Sequence, residues 1–228
     1  MWLKLSGVNI LIDPGPGSLI RMFEFGFEPE DINIIVISHR HLDHTADLNT
    51  VLEASTRSGT KPIDMLIAPA DVVEGEDPIL LKYLRKGIKE IAILSEDKEF
   101  FYKDLKIKAV IKHIHTYAET YGIEIADKNK KFVYVACGKF FDGMLTAYPK
   151  NADLEVLNTT FYKPKPNYTH LSAEDVKKML NEHKPKKAII THFSPYILRE
   201  NPEKVAKEIE LSTSVPVISA KDGMRVYF

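Results

Sequence analysis

The sequence is poor in cysteine, because its 228 residues include only one, Cys137. A single thiol excludes an internal disulfide framework, so the fold must be stabilised by a packed core and not by covalent cross-links. Hydrophobic residues make up 44% of the chain, which is enough for such a core. Low cysteine content is typical of a reducing compartment, and we expect a cytoplasmic protein.

Long apolar runs are also missing. No stretch approaches the roughly 18 apolar residues that a transmembrane helix requires. The first residues, "MWLKLSGVNILIDPG", lack a basic n-region, a long apolar h-region and a small-residue cleavage site. We therefore predict no membrane span, no signal peptide and no membrane partner.

A large excess of either charge is absent as well. Lys and Arg number 31 and Asp and Glu number 32, which gives a formal net charge of -1. This balance argues against a protein held to nucleic acid mainly by bulk charge. It leaves open a local basic site for a small-molecule, nucleotide or RNA substrate, and it does not indicate an oligomeric state.

What the sequence does contain is a strand-rich pattern in which helices are inserted singly. There are no repeats, low-complexity tracts or linker-like segments, so we predict a single domain over residues 1–228. The order of elements suits a layered α/β or α+β architecture.

Several element ends can be predicted from local chemistry. Ser18 is expected to cap a helix that reaches Phe25, and Ser172 is expected to cap "LSAEDVKKMLNEH" with Asp175 completing a capping box. Asp77 is expected to cap "PILLKYLRK" as a helix, with Pro78 at its first position. The closing "MRVYF" is predicted to be a strand.

Residues suited to metal binding recur where apolar strands end. Asp13 follows "NILI", His39 follows "IIVIS", Cys137 follows "FVYVA" and His192 follows "AIIT". The ends of strands are where a rigid sheet can present side chains to a site. This recurrence therefore indicates a site built at strand ends.

The stretch "SHRHLDH" concentrates three histidines and an aspartate in seven residues. In an extended chain His39 and His41 point to the same side, Asp43 continues the alternation, and His44 faces another way. One short segment can therefore supply ligands to two adjacent ions. Imidazole and carboxylate ligands suit zinc, and iron or manganese less specifically.

These residues and several others resemble the motifs of the metallo-β-lactamase superfamily. "SHRHLDH" matches its His-x-His-x-Asp-His signature, and "LIDPG" resembles its first motif, with Asp13 bracing the metal loop. "KHIHTYAETYGIEI" resembles the third motif, with His115 as ligand and Gly122 seven residues later. "YVACGKFFD" stands at the fourth motif, and "AIITHFSP" resembles the fifth, with His192. The resemblance spans nearly the whole chain and implies an αββα sandwich of two mixed sheets flanked by helices.

The resemblance also implies a ligand set. One cation would be held by His39, His41 and His115, and a second by Asp43, His44, Cys137 and His192. His113 is the rival of His115, since both would face the same way on a strand, and the distance to Gly122 favours His115.

Cys137 departs from the commoner pattern, which has an aspartate at the fourth motif. Some zinc β-lactamases of the superfamily use a cysteine there, and a thiolate is a good zinc ligand at about 2.3 Å. The alternative is a small buried thiol beside a weak second site.

The segment from Asn158 to Ser194 is similar to the closing part of tRNA 3′-processing ribonucleases and related phosphodiesterases. The similarity implies that His170 protonates the leaving group, although the carboxylate that supports this histidine is replaced by Asn158 or Thr159. The long glycine-rich arm of those enzymes is not found in the sequence. Lys163 and Lys165 precede His170 and could reach a phosphate, or they belong to a solvated loop.

We therefore expect a metal-dependent hydrolase, with one or two Zn²⁺ ions or else Mn²⁺ or Fe, acting on a phosphodiester. The cations would lower the pKa of a shared water from 15.7 toward about 7, giving hydroxide as the nucleophile. Asp43 would orient the cluster and His170 would act as the acid. Two alternatives remain open. One is a thioester, lactone or β-lactam hydrolase, and the other is a non-hydrolytic, iron-dependent redox or metal-binding member.

Overall fold

The structure is a computed structural model that describes residues Met1–Phe228. The chain forms two compact units, Met1–Ser95 and Glu96–Phe228. The prediction of a single domain stays a prediction. None of the helices is long and apolar enough to span a membrane.

The first unit is built on a five-stranded mixed sheet with the strand order β1-β2-β3-β4-β5. β1 and β2 are antiparallel, and β2 to β5 are parallel neighbours. The strands are β1 (Trp2–Leu5), β2 (Val8–Ile12), β3 (Ile34–Val36), β4 (Ile63–Ala68) and β5 (Ile88–Ile93). The helices are α1 (Ser18–Glu24), α2 (Leu42–Thr45), α3 (Leu48–Ser55) and α4 (Ala70–Val73), with 3₁₀ turns at Pro29–Asp31 and Lys82–Gly87.

The core of the first unit explains why its strands are uniformly apolar. All three residues of β3 are buried, as expected for a central parallel strand covered on both faces. Ile35 and Ile37 pack in one cluster with Leu48 and Leu52 from α3 and Met22 from α1. The helices therefore fix the strand ends that carry the polar motifs.

The second unit is built on an eight-stranded mixed sheet with the order β13-β12-β10-β9-β8-β7-β6, in which β11 pairs with β10. β9, β10, β12 and β13 are parallel, and β6 to β9 are antiparallel neighbours. The strands are β6 (Glu99–Tyr102), β7 (Leu105–His113), β8 (Thr120–Ala126), β9 (Lys131–Val135), β10 (Leu154–Phe161), β11 (Leu171–Ser172), β12 (Ala188–Thr191) and β13 (Val217–Ser219). The helices are α5 (Gly143–Ala147), α6 (Ala173–His183), α7 (Pro195–Arg199) and α8 (Pro202–Thr213).

α6 begins where the sequence predicts. The Ser172 side chain accepts a hydrogen bond from the Asp175 backbone, and the Asp175 carboxylate accepts one from the Ser172 backbone at 3.0 Å. Such a reciprocal cap satisfies two donors that a helix N-terminus otherwise leaves unpaired. On the buried face of α6, Val176 and Leu180 belong to the same core cluster as Leu157 of β10 and Ile190 of β12.

The predicted helix from Ser18 is present as α1, but its predicted cap is wrong, and so is the predicted helix after Asp77. α1 is capped by Gly17 at φ 80°, a left-handed conformation that suits glycine, and Ser18 is the first helical residue. Residues 78–81 do not form the predicted helix after Asp77, because their backbone groups bond elsewhere. The Leu80 amide donates to the Val72 carbonyl at 2.9 Å, and the Leu81 amide donates to the Asn49 side chain at 3.0 Å.

The predicted strand over "MRVYF" is also wrong. Residues 224–228 have no regular structure and most of them are exposed. This segment therefore adds no strand to the sheet, in which β13 is the edge strand.

Candidate functional site

The first motif of the first unit lies at the carboxyl end of β2. β2 pairs with β3 in parallel, with Ile12 opposite Val36, so polar residues that follow the two strands meet at one edge of the sheet. Asp13 turns the chain there at φ 48°, a left-handed conformation that Asp tolerates better than most residues. Its amide donates to the Val36 carbonyl at 3.0 Å, which fixes the turn to β3.

The carboxylate of Asp13 is held by three donors. Oδ1 accepts from the Ser38 amide at 2.7 Å, and Oδ2 accepts from the Ser38 hydroxyl at 2.6 Å and from Nδ1 of His44 at 2.8 Å. Burial by itself raises the pKa of Asp13, but the charge and hydrogen bond of His44, with smaller contributions from His39 and Ser38, lower the pKa to about 2. An ionised carboxylate keeps the proton of His44 on Nδ1, so Nε2 is the nitrogen presented to a cation.

The imidazole rings of "SHRHLDH" gather around His39. The ring centroid of His39 lies 4.9 Å from that of His41 and 4.1 Å from that of His44. Nε2 of His44 lies 3.4 Å from Oδ2 of Asp43. The structure therefore brings together the four ligand candidates that the sequence predicts in this segment, and their role as ligands stays a prediction.

Gly15 explains why the "DPG" motif matters to this loop. A Cβ atom at Gly15 would lie 2.0 Å from the carbonyl oxygen of Asp43. Only a glycine lets the two backbone segments approach this closely. The first motif therefore supports the histidine loop by backbone packing as well as through Asp13.

In the second unit, strands that run in one direction end at one edge of the sheet. β9, β10 and β12 are parallel, and β7 is antiparallel to β8, which is antiparallel to β9. Their carboxyl ends carry His115, Cys137, Thr160 and His192. The topology thus explains how residues far apart in sequence come to one place.

The thiol of Cys137 is buried, with 1% of the residue exposed. Its Sγ lies 3.4 Å from Nε2 of His192 and accepts a hydrogen bond from the Asn158 amide at 3.2 Å. The same Asn158 amide also donates to the Tyr134 hydroxyl at 3.0 Å, which fixes its orientation. Two polar side chains therefore converge on the sulfur of Cys137, and its role as a ligand stays a prediction.

His170 and His192 are oriented by one hydroxyl. The Thr160 Oγ1 atom lies 3.3 Å from Nδ1 of His170 and 3.0 Å from Nδ1 of His192. The donor atoms of Cys137, His170 and His192 all lie within 4.8 Å of one another. The thiol of Cys137 and the imidazole of His192 are donors that suit Zn²⁺, so these two side chains fit the metal that the sequence predicts, and His170 lies beside them as the candidate acid.

The two rival histidines at the end of β7, His113 and His115, have different surroundings in the structure. Nδ1 of His113 lies 3.0 Å from the Cys137 carbonyl and Nε2 lies 2.6 Å from the Tyr148 hydroxyl, so both ring nitrogens have protein partners. Burial lowers the pKa of His113 despite the hydrogen bond to Cys137. His113 is a neutral, buried support for the backbone that carries Cys137, which favours His115 as the ligand candidate.

His115 lies beside one member of this cluster, His170. Its Nδ1 lies 2.9 Å from the Thr169 carbonyl, and its ring centroid lies 5.0 Å from that of His170. Sequence reasoning overlooked Thr169 and Thr160. A usable signal for Thr160 was its position two residues after Asn158, because alternate residues of a strand share a face.

Comparisons with known proteins show the family of this chain. The family model described as a beta-lactamase superfamily domain matches residues 8–193. The chain is 26% identical over 223 residues to an uncharacterised protein of Methanocaldococcus jannaschii, with 94% of this chain and 81% of that protein covered. It is 23% identical over 285 residues to ribonuclease Z of Thermobifida fusca, with 99% and 87% covered.

Solved structures show the same fold. The metallo-β-lactamase fold protein YhfI of Bacillus subtilis has a TM-score of 0.82 at 22% identity, with 98% of this chain and 88% of that chain covered. A diphosphatase of the PhnP family has a TM-score of 0.72 at 21% identity, with 98% and 80% covered. These matches confirm the fold that the sequence predicts.

Proposed function

The chain belongs to the β-lactamase superfamily, and from this premise we propose that it is a metal-dependent hydrolase acting on a phosphodiester. The observation that carries the proposal is the cluster of Cys137, His170 and His192 at one edge of the second sheet, oriented by Thr160. The relatives named ribonuclease Z and PhnP-family diphosphatase support a phosphoester substrate.

The proposed metal ligands are the residues that the resemblance implies. They are His39, His41, Asp43 and His44 in the first unit and His115, Cys137 and His192 in the second. Zn²⁺ is the proposed ion because thiolate and imidazole are its preferred ligands, with Mn²⁺ or Fe as alternatives. When bound, such cations supply Lewis acidity and lower the pKa of a coordinated water toward about 7.

This chain's own side chains have three tasks in the proposed reaction. Asp13 holds the tautomer of His44 through Nδ1. Asn158 donates a hydrogen bond to the sulfur of Cys137, which stabilises a thiolate. His170 gives a proton to the leaving oxygen from its ring edge, while Thr160 beside Nδ1 holds the ring in place.

A tRNA substrate is less well supported than a small phosphodiester. The alignment with the T. fusca enzyme runs over 285 residues, whereas this chain has 228, so that enzyme contains segments that this chain lacks. The net charge of -1 also gives little bulk attraction for a folded RNA.

The ligand role of Cys137 is tested by replacing the metal with Co²⁺. A cobalt–thiolate bond gives strong near-ultraviolet absorption, which the Cys137→Ser variant should lose while cobalt still reaches the histidines. The metal content of both proteins is measured by plasma emission spectrometry. The same near-ultraviolet band in both proteins would show that Cys137 is not a ligand.

The acid role of His170 is tested with leaving groups of different basicity. His170→Ala should reduce turnover of a dinucleotide, whose leaving alcohol needs a proton, by about 10²–10⁴-fold. It should reduce turnover of bis-para-nitrophenyl phosphate much less, because nitrophenolate leaves without protonation. Equal losses on both substrates would refute this role, and preferential hydrolysis of a thioester by the unaltered protein would refute the phosphodiester assignment.

A further inference from the structure

A hollow of about 370 Å³ lies on the second unit where β10 leads into the loop before α6. Its walls include Phe161 and Tyr162 from the end of β10, Lys163 and Lys165 from the loop, and Tyr196 and Arg199 from α7. This volume falls in the range of small-molecule sites, about 300–1,000 Å³. We call it the aromatic-basic hollow.

The hollow adjoins the cluster described above. Phe161 directly follows Thr160, whose hydroxyl lies beside both His170 and His192. The ring centroid of Phe161 lies 6.3 Å from that of His170. A substrate whose leaving oxygen sits at His170 would therefore place its next chemical group near this hollow.

Aromatic rings surround a lysine ammonium here, with Phe161 and Tyr196 lining the hollow and Tyr168 lying beside it. Nζ of Lys165 lies 3.6 Å from the ring centroid of Tyr196, 5.0 Å from that of Phe161 and 5.9 Å from that of Tyr168. Tyr168 and Tyr196 are 54% and 56% exposed, so their rings are accessible from solvent. Exposed tyrosines with accessible ring faces are the kind of surface on which nucleobases stack.

The residues that line the hollow carry more positive than negative charge. Lys163, Lys165 and Arg199 line it together with a single acidic residue, Glu200. The hollow thus carries a surplus of positive charge, whereas the whole chain has a net charge of -1. One wall is firmly placed, because the Tyr162 hydroxyl donates to Glu208 of α8 at 2.7 Å.

We propose that the aromatic-basic hollow binds the nucleoside 5′-phosphate portion of a nucleotide-containing substrate. The base stacks on Tyr196 and Tyr168 in place of the Lys165 ammonium, and that ammonium then pairs with a phosphate beside Lys163 and Arg199. This proposal rests on the proposed function in one respect, which is that the bond to be hydrolysed lies beside His170. Binding itself needs no catalysis, so it can be tested separately.

The experiment measures binding of adenosine 5′-monophosphate, adenosine and ribose 5-phosphate by isothermal titration calorimetry to the metal-loaded protein. The unaltered protein should bind adenosine 5′-monophosphate at least tenfold more tightly than ribose 5-phosphate. Tyr196→Ala should weaken adenosine 5′-monophosphate binding by about tenfold and leave ribose 5-phosphate unchanged, since only the base stacks. Lys165→Met should weaken both phosphates and leave adenosine unchanged or tighter.

Tyr227→Ala is the matched control, because Tyr227 is 84% exposed and lies outside the hollow. It should change none of the three affinities, and circular dichroism melts verify that each variant is folded. Equal affinity for adenosine 5′-monophosphate and ribose 5-phosphate, or an unchanged affinity in Tyr196→Ala, would overturn the proposal. Base-dependent binding without phosphodiester turnover would refute the proposed function and leave this inference intact, whereas turnover without base-dependent binding would do the reverse.

Discussion

Replacing Asp13 by Asn tests whether this carboxylate sets the state of the histidine loop. Oδ1 would keep its hydrogen bond from the Ser38 amide, which is 2.7 Å in the structure. The new amide nitrogen would then take the place of Oδ2, facing Nδ1 of His44 at 2.8 Å. Two donors cannot share a hydrogen bond, so the proton of His44 has to move to Nε2.

The expected loss of metal affinity follows from the position of this proton on Nε2 of His44. A histidine protonated on Nε2 cannot offer that nitrogen to a cation, and losses of such supporting contacts typically reduce metal affinity by about 10–100-fold. This corresponds to about 1.4–2.7 kcal/mol. The metal-free protein should also lose stability, by about 1.5–3 kcal/mol, because a buried hydrogen bond to a charged group is removed.

Two assays separate these effects. Competition with a chromophoric chelator measures metal affinity, and urea unfolding of the chelator-treated protein measures stability. Asp104→Asn is the matched control, because Asp104 is exposed and makes the same change of charge. Asp13→Asn with the metal affinity and unfolding midpoint of the control would refute the orienting role of Asp13.

Three further predictions concern packing and pH. Gly15→Ala should weaken metal binding and cost about 1–3 kcal/mol of stability, since its Cβ would lie 2.0 Å from the Asp43 carbonyl oxygen. Gly122→Ala should cost a similar amount in urea unfolding, because its Cβ would lie 1.8 Å from the Tyr148 hydroxyl. Burial raises the pKa of Asp153, but hydrogen bonds from Lys186 and the Lys131 backbone and the charges of nearby lysines outweigh burial, so the pKa lies below its ordinary value. The ionised carboxylate therefore stabilises the fold above about pH 4, and this stabilisation decreases as the pH falls below that value.

Each of these has its own check. A Gly15→Ala protein with normal metal affinity would show that the backbone around Asp43 moves to accommodate the methyl group. The double variant Gly122→Ala/Tyr148→Ala should cost less than the sum of its single variants, and simple additivity would exclude the clash. Asp153→Asn should lose about 1–3 kcal/mol at pH 7 and much less near pH 2, and a loss that does not vary with pH would contradict the ionic role.

Local patterns were sufficient for most strands and for the ligand candidates in the first unit. The apolar run before His39 predicts a buried strand, and the alternation of His39 and His41 is a property of neighbouring residues. The capping box of Ser172 is likewise encoded within four residues. Where all interacting groups lie close together in sequence, the sequence contains the whole physical cause.

In two places a distant partner decided what local patterns could not. The segment after Asp77 has a good helix start, but its amides bond to Val72 and to the Asn49 side chain. His113 and His115 share a periodicity, and the residue that separates them is Tyr148, 35 positions after His113. No local spacing shows that its hydroxyl occupies Nε2 of His113 and that its ring also requires a glycine at position 122.

Asn158 shows how a contact can change the interpretation of a substitution. From sequence alone, Asn158 or Thr159 stands where a carboxylate would support His170, and Cys137 is a separate departure from the resembled pattern. In the structure the amide of Asn158 donates to the sulfur of Cys137 at 3.2 Å, and Thr160 takes the position beside His170. A carboxylate at position 158 would place a negative charge against a thiolate, which repels it and raises the thiol pKa, whereas an amide donor stabilises the thiolate. The two departures are therefore physically coupled, as the proposed role of Cys137 as a ligand requires.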